Sequence, residues 1–433
     1  MIIRYFKHTF SLVTVGLSLV TGATAAQAAG LGFSVIADGL DNPRNLAFGA
    51  DGSIYVTESG TGGDGEDGRC IPSPSAGFIP LCAGNTGKLT KINPDGTKVD
   101  ILSNLPSLAL TPFGEQAAGP ADIQFDGAGN AYFLYGFAGD PSNRETVLNT
   151  PILGQLYKLD LNSFELTSLA DFAEYELENN PDGSDIITNP YAMTIVGNNA
   201  YVIDGGGNAI YSVGLDGSGI NNVAGFPDQP LPSNTEFPPL PPDAGDDVGF
   251  PTVLQSVPTA VTVAPDGSLT VAEYSGFPYP EGSARIFSVD PTTLQAEVLY
   301  DGFTQLTGAT YDDEGNLYVL QHMNVAEWKA IEQGGNVIGD IGGSIIKIAP
   351  DGTQTTLWSG NGLEAASGLF FGPDGRLYTS NRARLADLGQ VVAIDPQVVP
   401  EPNTILGVLL FGAGTRFFRK VVKDKQQSNQ EDI

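Results

Sequence analysis

Two cysteines, two histidines and only 20 lysines and arginines stand in a chain of 433 residues that carries 50 aspartates and glutamates. A net charge of −30 repels phosphate backbones, because affinity for nucleic acid depends on Lys and Arg displacing counterions. Nucleic acid and an anionic membrane surface are therefore excluded as expected partners. His8 lies at the extreme N-terminus, which leaves His322 as the only histidine of the remaining chain and excludes a His-cluster metal site. There is no G-x-S-x-G nucleophile turn and no Walker-type phosphate loop. Charged residues are scarce at 16%, yet 41% are hydrophobic, which is a folding composition and not that of a disordered chain. The 55 glycines and 30 prolines follow no three-residue period, which excludes collagen and implies many turns between short strands. The length allows two or three average domains, or one large barrel or propeller.

Both ends read as processing segments. Arg4, Lys7 and His8 precede an apolar run from Phe10 to Val20, and Ala26-Gln27-Ala28 places small residues at a cleavage-site spacing. The run is shorter than the ~20 residues a membrane span needs, so residues 1–28 read as a signal peptide cut after Ala28 rather than a retained helix. Export puts Cys70 and Cys82 in an oxidising compartment, where one disulfide is favoured over a metal pair that lacks histidine neighbours. Pro400-Glu401-Pro402 is followed by an apolar stretch from Ile405 to Gly414 and by Arg416, Arg419 and Lys420, the order of a turn, a short membrane-seeking helix and a basic stop. This tail, 398–433, resembles the PEP-CTERM sorting signal of bacteria. The resemblance implies an exosortase-type protease as a partner, membrane attachment through the C-terminal helix before cleavage, and display at the surface afterwards. The tail departs from that pattern in its short apolar run and in the 13 residues after Lys420. The two ends hold seven of the 20 basic residues but only four of the 50 acidic ones, so the body between them is more acidic than the whole.

Within 29–397 one plan recurs. NPRNLAFGADGSIYVTE from Asn42, GPADIQFDGAGNAYFLY from Gly119, NPYAMTIVGNNAYVID from Asn189, VPTAVTVAPDGSLTVAE from Val257, LTGATYDDEGNLYVLQ from Leu306 and ASGLFFGPDGRLYTSN from Ala366 each read as a β-hairpin. A second hairpin follows each, except that the sixth offers only GQVVAIDPQ. Two hairpins make a four-stranded blade and six units make an all-β, six-bladed propeller. GFSVIADGL, from Gly32 to Leu40, has the shape of the missing strand and is expected to close the last blade, which removes an open edge. A twelve-stranded pair of barrels is the rival arrangement, and the repeat count and the displaced strand argue against it. A monomer is expected.

Turns inside the hairpins are tight, as at Asp51-Gly52, Asp266-Gly267 and Asp374-Gly375, and lie on one face. The links from second to third strand and from blade to blade are long, and strand direction puts them on the opposite face, where binding is expected. Six second strands end there in Glu58, Tyr135, Asp204, Glu273, Gln321 and Asn381; six inner strands begin there with Arg44, Asp122, Tyr191, Thr259, Thr307 and Ser367. A ring of oxygen ligands around a channel suits Ca²⁺ or another divalent cation, with Glu58, Asp204 and Glu273 as the candidate metal ligands. The other reading of the same ring is that these groups cap strand ends. Six-bladed lactonases of the gluconolactonase type use a comparable arrangement, an analogy of fold only. Arg44, Asp122, Tyr191 and Asn381 are candidate ligand contacts, as are Tyr274, Phe277 and Tyr279 of YSGFPYPEG, which offer flat surfaces to an aromatic or sugar; packing of the next blade accounts for them equally well. His322 is the one candidate for proton transfer, against the bland alternative of a solvated loop histidine. GTGGDGEDGRC lacks the alternating spacing of an EF-hand loop and reads as a flexible loop pinned by the disulfide. The proline-rich stretch from Phe226 to Pro258 reads as an extended lid over the channel.

The NPR start, the Cys-bearing loop and the GFPYP stretch are similar to the cyanobacterial ScyD/ScyE family of NHL-type propellers, over about Leu31 to Pro396. Founding members belong to gene clusters for scytonemin, an aromatic sunscreen pigment of the extracellular sheath. The resemblance implies an exported protein of the periplasm, cell surface or exterior, and transfers no catalytic residue. Two functions follow. One is a surface-displayed propeller that binds a small aromatic molecule or a matrix component on its long-loop face. The other is a periplasmic enzyme or accessory factor in making a scytonemin-like aromatic metabolite, with or without a cation.

Overall fold

Alternating apolar residues flanking Asp-Gly turns make the hairpins, and in the computed structural model the hairpins pair as expected. It describes residues 32–75, 79–239, 251–332 and 336–397; the signal segment 1–28 and the tail 398–433 lie outside them. From the axis outward, blade 1 is Pro43–Phe48, Ile54–Glu58, Pro80–Ile92 and Lys98–Leu110. Blade 2 is Pro120–Phe125, Ala131–Tyr135, Gln155–Leu159 and Leu166–Asp171, and blade 3 is Pro190–Val196, Asn199–Asp204, Ala209–Gly214 and Ile220–Gly225. Blade 4 is Pro258–Val263, Leu269–Glu273, Ala284–Asp290 and Gln295–Phe303; blade 5 is Leu306–Tyr311, Leu317–Gln321, Gly342–Ile348 and Gln354–Glu364. Blade 6 is Ser367–Phe371, Leu377–Asn381 and Gly389–Ile394, completed by Phe33–Leu40, which pairs antiparallel with Gly389–Ile394. Inner strands touch in ring order and the sixth meets the first.

The core lies between blades. Leu320, Ile345 and Trp358 of blade 5 pack on Leu369, Leu377 and Val392 of blade 6, and Phe33 of the closing strand stacks on Trp358 with ring centres 5.9 Å apart. Burying each such aliphatic side chain contributes about 1.5–3 kcal/mol relative to leaving it in water, so the closing strand is held by packing as well as by its ladder.

Blade 1 departs from the expected loops. Residues 80–86 and 103–110 continue its outer hairpin as strand, and Cys70–Pro72 and Glu115–Ala118 pair beside it. Cys70 and Cys82 are joined as expected. The glycine-rich loop is packed rather than flexible: a Cβ on Gly84 would sit 1.9 Å from the Gly62 carbonyl oxygen, and one on Gly63 2.2 Å from that of Ala83. Backbone lies directly on backbone there, which only glycine permits. Of the proline-rich stretch, Gln229–Pro230 pairs with Val253–Leu254 and Phe237 meets Phe277; 240–250 lie outside the described residues. No helix among the described residues is long and apolar enough to cross a membrane.

Candidate functional site

In five of the six blades the last residue of the second strand has a task inside its own blade. Glu58 Oε2 accepts the Asp41 N–H at 2.8 Å, Asp204 Oδ1 the Asn189 N–H at 2.6 Å, Gln321 Oε1 the Thr304 N–H at 2.9 Å and Asn381 Oδ1 the Glu364 N–H at 2.7 Å. Glu273 accepts the Ser256 hydroxyl at 2.5 Å. Every one of these donors lies just before the inner strand of the same blade. The clamp steadies a connector whose next residue is left-handed in four blades: Asn42 (φ 47°), Val257 (φ 54°), Gln305 (φ 47°) and Ala365 (φ 39°). Such a conformation costs about 1–2 kcal/mol for an L-residue, and the clamp's hydrogen bond, accepted by a carboxyl in blades 1 and 4 and by a neutral amide in blades 5 and 6, helps to offset it.

This corrects the expected metal ring. Glu58 also takes the Thr90 hydroxyl; Asp204 takes Thr188 Oγ1 and the N–H groups of Gly206 and Gly207; Glu273 takes the Arg285 N–H and, at 2.6 Å, its Nε. Oxygens engaged within three separate blades do not converge. Among the described residues no group of three or more His, Cys, Asp or Glu is placed to hold a metal ion. Burial raises the carboxyls of Glu58, Asp204 and Glu273. Asn381 and Asp122 are likewise structural and do not line the cavity: Asp122, pushed up to about 8 by burial, accepts the Met193 N–H of blade 3 at 2.8 Å and ties blades 2 and 3 together. Tyr135 is fully buried against Phe133 and Tyr157.

Four of the six inner-strand starts, Arg44, Tyr191, Thr259 and Thr307, do converge. A cavity of about 280 Å³ opens at the long-loop end of the axis, lined by Arg44 and Tyr191 together with Tyr274, Phe277, Tyr279 and His322. The expected GFPYP aromatics thus meet the expected axial residues. Trp328 Nε1 donates to the Pro278 carbonyl at 3.1 Å and holds that aromatic wall. Ser73, Pro74 and Ser75 bring the disulfide hairpin to the same cavity.

Its charged groups come largely from loops. Glu327 opens the short helix Glu327–Ala330 of blade 5 and pairs with Arg384 from the blade 6 loop. Tyr274 Oη donates to Glu327 Oε2 at 2.6 Å, and Gln116 Nε2 to its Oε1 at 2.6 Å. Burial alone would neutralise Glu327, but Arg384 and the Tyr274 hydrogen bond outweigh it and hold the carboxyl below its usual range. Glu115, 4.0 Å from Arg384, is pushed up to about 7, chiefly by burial. His322 is buried rather than solvated, and its Nδ1 lies 2.9 Å from the Ala366 carbonyl oxygen. A carbonyl only accepts, so Nδ1 carries the proton and Nε2 the lone pair. Burial lowers the ring to about 4, so it is neutral at physiological pH.

Arg384, Glu327, Glu115 and Gln116 were missed by sequence reasoning because they lie in connecting segments outside the repeat, Glu115 and Gln116 on a short added strand and Glu327 on a short helix. The one signal was Arg382 and Arg384 standing together in a chain poor in cations; Arg382 pairs with Glu364 at 2.7 Å.

No protein-family profile and no curated relative matches this chain. Among solved structures it is similar to a streptogramin B lyase (16% identity, 84% of this chain and 99% of that one, TM-score 0.40). It is also similar to the virginiamycin B lyase of Staphylococcus aureus (11%, 84% and 99%, 0.39) and to a candidate gluconolactonase (12%, 84% and 92%, 0.44). At these values the likenesses say nothing of activity, and the propeller rests on the strand pairing described above.

Proposed function

We propose that this chain is an exported, surface-displayed propeller that binds a small aromatic molecule in the cavity on its long-loop face. The observation that carries the reading is the convergence of Tyr191, Tyr274, Phe277 and Tyr279 on one cavity that also exposes polar groups. A concave site with aromatic walls and a few placed polar groups is the usual form of a small-molecule site. A volume of about 280 Å³ is roughly twice the 150 Å³ that admits benzene, which suits a two-ring ligand. The neutral probe 2-naphthamide should bind saturably by calorimetry, and Phe277→Ala should weaken it about tenfold. Absence of saturable binding, or an unchanged affinity in the variant, overturns the reading. Export rests on the N-terminal segment and accords with the Cys70–Cys82 disulfide. Retention of the protein in the cytoplasm after cell fractionation would count against it.

The second reading, a periplasmic enzyme or accessory factor acting on an aromatic metabolite, is favoured by His322. Its fixed tautomer offers Nε2 as a proton acceptor at the wall of the cavity. His322→Gln should then abolish conversion of a bound aromatic while its Kd stays within about twofold. Turnover that survives the change removes this reading.

A further inference from the structure

Arg44 and Arg384 both line the cavity, yet only one of them is neutralised. Arg384 is paired with Glu327 and has Glu115 at 4.0 Å. Arg44, 8% exposed, has no carboxylate within ion-pair distance among the described residues. Its Nη1 donates to the Ala383 carbonyl at 2.7 Å and its Nη2 to the Ala117 carbonyl at 2.5 Å. Those two bonds orient the guanidinium but bring no counter-charge, and three of its five N–H groups have no acceptor among the described residues. A buried charge is ordinarily paired, because desolvating it alone costs several kcal/mol. The guanidinium is delocalised and cannot shed its proton, so the charge is not avoided by neutralisation. His322, held neutral, adds no counter-charge, and Asp185, the remaining acid of the lining, sits exposed at the rim. A chain of net charge −30 therefore keeps one unpaired cation at the end of its axis, beside an aromatic ring: the guanidinium carbon lies 5.9 Å from the centre of Tyr191.

We infer that the ligand of this cavity is an aromatic carboxylate, whose rings lie among Tyr191, Tyr274, Phe277 and Tyr279 and whose anionic group is received by the free N–H groups of Arg44. The inference rests on the aromatic-binding reading above and adds the charge of the ligand. A carboxylate presents two acceptor oxygens to a planar fork, and such charge-assisted pairs are the strong hydrogen bonds of a dry site. The aromatic walls alone would not distinguish an acid from its amide.

The test compares 2-naphthoate with 2-naphthamide by calorimetry on the purified protein at pH 7.5 and 0.15 M salt, with wild type, Arg44→Gln and Arg44→Lys. Wild type should bind the carboxylate at least about tenfold more tightly than the amide. Arg44→Gln should bind both with the affinity of the amide, and Arg44→Lys, which keeps the charge without the fork, should fall between. Near-UV circular dichroism shows whether the variants are folded, and the wild-type comparison stands without them. Equal wild-type affinities overturn the charge assignment while leaving the aromatic site intact. A preference that persists in Arg44→Gln overturns the role of Arg44. Failure of both probes to bind overturns the site and the inference together.

Discussion

The two faces of the propeller treat the same residue types in opposite ways. On the tight-turn face, Asp51, Asp95, Asp266 and Asp351 each accept the backbone N–H two residues on, at 2.9–3.1 Å, and stand in water. Their carboxyls lie below the usual range, that of Asp51 at about 2 through its bond from Lys91. On the long-loop face, Glu58, Glu115, Asp204 and Glu273 are buried and raised. Hydrogen bonding in water favours the charged form, whereas desolvation penalises it even where hydrogen bonds are present. The acidity of the chain thus serves turns on one side and clamps on the other. Among the described residues neither is placed to hold a cation, and the buried charge left without an ion-pair partner in the cavity is the positive one of Arg44.

The largest test of this contrast is the buried pair at the cavity. Glu327→Ala leaves Arg384 without its counter-charge and Tyr274 and Gln116 without their acceptor, and should lower the free energy of unfolding by about 3–5 kcal/mol in denaturant titration. A loss under about 1 kcal/mol would show that this floor is as wet as the turns. Replacing Cys70 and Cys82 by Ser opens a loop of sequence separation 12 and should cost roughly 3 kcal/mol. Because Ser73 to Ser75 line the cavity, 2-naphthamide affinity should fall with it; unchanged stability and affinity would detach the hairpin from the site.

Glu176 sharpens the contrast through pH. It lies on the helix Phe172–Asn179, fully buried, with neither carboxylate oxygen hydrogen-bonded, and burial, followed by Asp204 and Asp182, raises it to about 8. A carboxyl raised above its unfolded value stabilises fully below about 4.5 and loses that contribution as pH rises through about 8. Glu176→Gln should therefore match wild type near pH 5 and melt at least about 2 °C higher at pH 9. Parallel melting profiles for the two proteins would show that Glu176 does not titrate with folding. The smallest effect belongs to the other face: Asp351→Ala should lower Tm by about 2 °C or less, equally at pH 5 and pH 9. A larger or pH-dependent loss would mean that the turns also carry buried charge.

Much of the fold was legible because a repeat states the same local rule six times. Asp-Gly turns, alternating apolar residues and the displaced strand Phe33–Leu40 specify six blades, the ring closure and the face on which the long loops gather, and an export segment with two cysteines specifies the Cys70–Cys82 disulfide. The same regularity misled about the site. An acid or amide at the same place in five of the six blades read as a ligand ring, but a residue type that recurs in this way serves what the blade itself needs, which is a clamp on the incoming connector. Periodicity also could not show that Gly62, Gly63 and Gly84 permit backbone packing.

The sequence by itself determined the strands, their order and the end of the axis where long loops gather, since these follow from local pattern and chain direction. Only the tertiary structure decided which side chains share the cavity. Arg44, Glu327 and Arg384 are separated by hundreds of residues or lie in irregular loops, and whether a charge is paired depends on which neighbours folding brings within a few ångströms and how much water it removes.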